Sequence, residues 1–154
     1  MTLKTQGVQA YLLDDTDAGN EVAKIDKVTS ITGVGGSAGT IDVTHFDSNA
    51  KEYLTGLKDS GTISLGLNYD PNSESHSALL GLVGGDNKRF VICGPEATTA
   101  PTFSVGTFTI PTDRTTIDFT AGVQSMQLDL NTDDAWRISS SLQVSGDYVI
   151  TPAV

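Results

Sequence analysis

Thr62-Ile63-Ser64-Leu65-Gly66-Leu67-Asn68-Tyr69 decides the fold. Successive side chains of a strand point to opposite faces, so Ile63, Leu65, Leu67 and Tyr69 share one face while Thr62, Ser64, Gly66 and Asn68 share the other. Such a strand is buried on one side only, and its polar side carries no charge. The alternation returns twice near the carboxy terminus. Met126, Leu128 and Leu130 alternate with Ser125, Gln127 and Asp129, and Trp136, Ile138, Leu142 and Val144 alternate with Arg137, Ser139, Ser141 and Gln143. This second phase assigns Trp136 to the core.

Working outward, residues 8–13 and 88–93 read as short strands, and residues 102–110 as a strand whose face changes near Gly106, the mark of a bulge. Val22, Ile25, Val28 and Ile31 recur every three residues, yet the Val, Ile and Thr content assigns the segment to a strand. Gly33 to Gly39 reads as a flexible break, and residues 40–46 as a strand with Ile41, Val43 and His45 on one side. Residues 47–60 show no clear period and read as a long loop, a kind of connection that compact domains reserve for function or leave disordered. One helix is expected over residues 72–84, capped by Asn72 or Ser73, with Glu74 in its first turn and an apolar stripe of His76, Leu79, Leu80 and Val83. Strands with a single helix predict a mainly β fold: two packed antiparallel sheets, sandwich- or barrel-like, with one short flanking helix.

The chain of 154 residues suits one domain, 1–154, burying roughly 70 % of its unfolded surface. Thr, Ser and Gly supply nearly a third of the residues, as a strand- and turn-rich protein requires. The net charge of −10 repels phosphate and argues against tight nucleic-acid binding. Cys93, the single cysteine, lies in the apolar run Phe90-Val91-Ile92-Cys93 and reads as a small buried hydrophobe. No stretch approaches the roughly 18 apolar residues that cross a bilayer as a helix, so no membrane partner is expected and synthesis is expected in the cytoplasm.

No enzyme emerges from the motifs. Gly35-Gly36-Ser37-Ala38-Gly39 has the spacing of a nucleophile elbow, and Gly33 to Ala38 imitates a dinucleotide loop, but both need a helix where a strand is expected. Asp15-Thr16-Asp17-Ala18-Gly19 starts like a calcium loop and then places Gly19 at a ligand position. His45, His76 and Cys93 are too few for a zinc set. No catalytic residue, metal or cofactor is therefore expected. What remains is a long loop, polar arms at both ends and weakly charged sheet faces, features an assembling subunit would use.

Ile31-Thr32-Gly33-Val34-Gly35-Gly36 leading into Thr40-Ile41-Asp42-Val43-Thr44-His45-Phe46-Asp47, then Gly56-Leu57-Lys58-Asp59-Ser60-Gly61-Thr62-Ile63-Ser64 and Asn68-Tyr69-Asp70-Pro71, resembles the major tail tube protein of long-tailed, non-contractile, siphovirus-type bacteriophages. Ser139-Ser140-Ser141-Leu142-Gln143-Val144-Ser145-Gly146 is similar to that family's closing strand. The resemblance spans residues 8–149. It implies a virion subunit that assembles into hexameric rings stacked as a hollow tube, the conduit for genome ejection. The implied partners are further copies of the chain, the tape-measure protein, the tail-tip or baseplate initiator and the tail terminator, with DNA passing through the lumen without specific binding.

By position, the resemblance makes residues 47–60 the loop that reaches the neighbouring ring, with Asp47, Lys51, Glu52, Tyr53, Leu54, Leu57, Lys58 and Asp59 as its contacts. The helix would lie on the outer side, and the amino-terminal segment would help join subunits. A carboxy-terminal immunoglobulin-like domain carried by some relatives is not expected in a chain ending at Val154. A conduit must not hold its cargo, which makes Thr62, Ser64, Asn68, Ser125, Gln127 and Asp129 the lumen-facing candidates; the alternative is that they face bulk solvent. Two other readings stay open: a monomeric β-sandwich that binds carbohydrate or a cell surface, and the tube subunit of a bacterial secretion system. The first calls for an exposed aromatic platform, which the core assignment of Trp136 denies.

Overall fold

A computed structural model of the chain describes residues 2–15 and 22–154; the calcium-like turn, from Thr16 onward, lies outside the described residues. The elements are β1 (Gln9–Leu13), β2 (Val22–Ile25), β3 (Val28–Thr32), β4 (Ser37–Asp42), β5 (Tyr53–Asp59), β6 (Thr62–Asn68), α1 (Glu74–Gly81), β7 (Lys88–Cys93), β8 (Thr102–Ser104), β9 (Thr107–Thr109), β10 (Thr116–Asp129) and β11 (Arg137–Thr151). Seven strands form one antiparallel sheet in the order β2-β1-β7-β10-β11-β6-β3, and β4-β5 and β8-β9 form two separate ribbons.

The strand order forces the sheet to curl. Laid flat, its outermost strands β2 and β3 would stand about 29 Å apart at about 4.8 Å per step. Only Asp26 and Lys27 join them, and three peptide units reach no more than about 11 Å. The two rims therefore meet, although no ladder links them among the described residues. The two packed layers expected from the sequence are two halves of this single rolled sheet, and they enclose one core that includes Leu12, Ile63, Leu67, Phe90, Phe119 and Leu142. Phe90 and Phe119 stack there with ring centroids 5.8 Å apart.

The period of three in residues 22–31 also has its explanation here. It is not one strand but two, reversing at Lys27, whose φ of 55° is left-handed. Similarly, the face change near Gly106 is a hairpin and not a bulge: Val105 (φ 52°) and Gly106 (φ 75°) form a two-residue turn between β8 and β9.

Helix α1 is shorter than the expected 72–84. His76 and Leu79 are buried, whereas Leu80 and Val83 of the expected stripe are exposed. Ser73 does stand at the N-cap position, but its hydroxyl makes no cap bond and donates instead to Asp26 Oδ2 at 2.9 Å. The helix thereby clasps the turn between the sheet's rims. Asp26 N–H donates to Ser75 Oγ (3.2 Å), Asp26 carbonyl accepts from His76 Nε2 (2.8 Å), and Lys27 Nζ pairs with Asp70 Oδ2 (2.7 Å).

Candidate functional site

The outer face of the rolled sheet is sealed over one half and open over the other. On the β1–β7 half, Tyr11, Leu13, Val91 and Cys93 are buried under Val22, Phe108 and Ile110. Arg114 is fully buried beside them, with Nε and Nη2 on Gly94 carbonyl and Nη1 on Gln9 Oε1 (3.0 Å) and Thr99 carbonyl (3.1 Å). Burial pushes the Tyr11 phenol and the Cys93 thiol above their ordinary pKa values, and the Arg114 charge opposes both shifts. Cys93 is the inert core residue its apolar run announced.

The open half is a wall made by β3, β6, β11 and the second half of β10. Register aligns its outward side chains into rungs: Thr32, Ser64, Ser141 and Ser125 form one, Gly66, Ser139 and Gln127 the next, and Asn68, Arg137 and Asp129 the last. At the other end Thr62 Oγ1 donates to Gln143 Oε1 at 3.1 Å. Thus Thr62, Ser64, Asn68, Ser125, Gln127 and Asp129 all lie on one face, exposed or half-exposed. A Cβ at Gly66 would press on Ser30 Oγ, so a larger residue there would make that hydroxyl turn aside. Across these rungs the charged groups are Asp129 and Arg137, which stand directly opposite each other. The wall is electrically balanced in a chain of net charge −10.

Neither rim of the wall has a further strand ladder among the described residues. Strand β3 is paired with β6 alone, and β10 loses β7 beyond Ala121, so that Gln124 to Asp129 have only β11 beside them among the described residues. The two rims run antiparallel, since three antiparallel pairings separate them.

The expected loop 47–60 needs correction. Residues 53–59 are strand β5, paired with β4 from Ser37↔Asp59 to Asp42↔Tyr53, and Ser37 to Gly39 belong to β4 and not to a glycine break. His45 sits past the strand's end, its Nδ1 against Ser48 Oγ. The whole forms an arm whose tip is stitched by Glu52 N–H to Thr44 Oγ1 (3.0 Å) and Thr44 N–H to Asp42 Oδ1 (2.9 Å). Thr44's hydrogen bonds hold the Asp42 carboxyl below its usual range. Asp47, Lys51 and Glu52 lie at the tip, and Tyr53, Leu54, Leu57, Lys58 and Asp59 on β5, all exposed.

At the base of the arm Lys58 Nζ meets Asp147 Oδ1 at 2.5 Å and lies 4.6 Å from the centroid of the Tyr148 ring. That hydrogen bond raises the Lys58 pKa and lowers that of Asp147. Phe46 and Leu57 are almost wholly in solvent, at 109 % and 95 % relative exposure. An isolated two-stranded ribbon is marginal in water, and one carrying apolar side chains needs a surface to lie on.

One apolar surface escaped the sequence reading. Trp136 is 54 % exposed and not core, and it stacks on Tyr69 with centroids 6.1 Å apart, next to exposed Leu128 and Leu130 at the β10–β11 turn. Alternation carried through Trp136 placed it in phase with Ile138, but β11 starts only at Arg137. A half-exposed indole meets the demand of the carbohydrate reading for an aromatic surface.

The fold is that of subunits from tubular phage tails. The structure superimposes on the tail tube of SPP1 with a TM-score of 0.70, at 13 % identity over 99 % of this chain and 81 % of that one. It matches the tail of an empty gene transfer agent particle, reconstructed with C6 symmetry, with a TM-score of 0.66 at 14 % identity, over 97 % and 99 % of the two chains. Structural protein 3 of Pseudomonas phage PAJU2 is 28 % identical over 157 residues, covering 97 % of this chain and 94 % of that protein. The family model for lambda-like phage tail tube proteins matches residues 1–154, and the chain belongs to that family. It is a structural protein of the phage tail. Among the described residues no helix is long and apolar enough to cross a membrane.

Proposed function

We propose that six copies of this chain close into a ring with the β3–β6–β11–β10 wall facing a central bore, and that rings stack head to tail into the tail tube. The observation that carries this reading is one uncovered polar face bounded by two free strand edges of opposite direction. Rotation about a bore axis preserves strand direction, so a neighbour's β3 laid beside β10 continues the antiparallel alternation and closes a heterologous ring. Six is the symmetry of the gene transfer agent tail. Thr62, Ser64, Asn68, Ser125, Gln127 and Asp129 then line the bore, and these hydroxyl, amide and carboxylate groups themselves give sliding DNA phosphate no cation to hold.

The arm supplies the contact between rings through Tyr53, Leu54, Leu57, Phe46 and the tip residues Asp47, Lys51 and Glu52, with Lys58 and Asp59 fixing its base. During assembly the bore surrounds the tape-measure protein, and a tail-tip initiator and a terminator cap the two ends. The chain is made in the host cytoplasm and ends in the virion tail.

Concentrated protein, with tail-tip initiator added, is expected to yield rings and tubes under negative stain. The double variant Phe46→Ser, Leu57→Ser should remain folded and fail to stack. Wild-type protein that stayed monomeric under all these conditions, and did not restore tails to a tube-deleted phage, would overturn the reading.

A further inference from the structure

Arg137 is the one cation in the rungs of the wall, and it is surrounded by acids. Asp129 faces it across the ladder, Asp134 Oδ1 accepts from its Nη2 at 3.1 Å, and Asp133 occupies the turn between them. Asp134 is itself held by the Ala135 N–H at 2.8 Å. The Arg137–Asp134 pair is exposed, with side chains at 57 % and 38 %, and such pairs contribute about 0–1 kcal/mol to stability. Stability therefore does not explain the cluster.

We propose that Asp129 and Asp134 mask Arg137, preventing a circle of guanidinium groups at one level of the bore from gripping passing DNA. The inference rests on the wall facing the bore. A guanidinium binds phosphate with a rigid two-pronged fork, and in a ring of six the same fork recurs around the duplex at one height. Six such contacts would make the hold strongly salt-dependent, with a log–log slope of about −5. Asp134 takes one donor of each guanidinium, and Asp129, whose Oδ2 accepts from Ser139 Oγ at 3.5 Å, adds a second negative charge on the same rung, so each ring presents a net negative mouth.

The test uses phage particles whose tube is supplied as wild type, as D129N/D134N, or as D129N/D134N/R137Q. Genome delivery per particle is measured at about 50 and about 200 mM salt; the double variant should deliver about tenfold less than wild type at the lower salt and recover at the higher. The triple variant should behave as wild type at both, and the melting temperature of the free subunit should be unchanged in all three. Normal delivery by the double variant, or equal failure of the triple, overturns the proposal.

A separate arm tests the wall itself. Ser64→Cys in intact tubes is treated with a small maleimide and with one carried on a polymer too large for the bore. Reaction with the small reagent alone leaves the bore reading in place whatever the charge variants do. Reaction with both sets the wall outside and removes the reading and the masking proposal together.

Discussion

His76 has no exposed surface, yet both of its ring nitrogens are engaged: Nδ1 accepts from the Asp70 N–H at 3.1 Å and Nε2 donates to Asp26 carbonyl at 2.8 Å. The two bonds require the neutral tautomer with hydrogen on Nε2. His76→Leu keeps the volume and orphans both backbone groups, a loss of about 2–6 kcal/mol at about 1–3 kcal/mol for each unmet buried group. Urea unfolding should show it, and His76→Gln, which offers a donor and an acceptor, should recover part. Equal stability of His76→Leu and wild type would mean that the backbone finds other partners. The sequence placed His76 on the helix's apolar stripe, which gave its burial correctly. Its partners could not be read, since they lie 6 and 50 residues away and depend on where the chain turns back.

At the scale of elements, legibility followed burial. Strands β6, β7 and β11 each bury one face or most of their length, and alternation or an apolar run marked them. The arm buries almost nothing within the subunit, and its apolar residues Tyr53, Leu54 and Leu57 fall on both faces of the strand, so no alternation distinguished β5 from a loop. Reversals were missed for the related reason that a two-residue turn leaves no gap in an apolar run, as between β2 and β3. The attachment of the arm carries a pH signature. Asp147's folded pKa lies below the ordinary aspartate value of 3.8 because Lys58 donates to it, so the pair's contribution is complete above that value and is lost as pH falls through the lowered one. On the alkaline side Lys58 is raised from 10.5, so the contribution is complete below that value and is lost as pH rises through the higher one. Amide relaxation of residues 53–59 should report a loosened arm at about pH 2 and an anchored one at neutral pH. Asp147→Asn should loosen it throughout; no change in that variant would show that the Tyr148 contact and the ladder suffice.

For the whole molecule, charge decides how copies meet. Among the described residues five cations are paired within the subunit, Lys27, Lys58, Lys88, Arg89 and Arg137, and a chain of net charge −10 is left to approach others of its kind. A ring of six would carry about −60, screened over about 8 Å at physiological salt. Light scattering should therefore show faster assembly at about 0.3 M than at about 0.02 M salt. Slower assembly would mean that opposite charges between copies, and not apolar contacts, drive association. The polar wall was legible in the sequence as positions of one phase on β6, β10 and β11. Its free rims were not, because strand order is a long-range property that alternation does not encode.

The short Asp26–Lys27 turn, buckled by the helix, has a bearing on this polymer's fidelity. Proteins that associate through strand edges risk lending a strand to a neighbour and emerging entangled. Here the outermost strands are tied to each other, so neither can leave without unfastening the helix as well. In the proposed ring, copies that touch edge to edge would separate again as intact units, and a wrongly started ring would dissolve and begin afresh without any chain having unfolded.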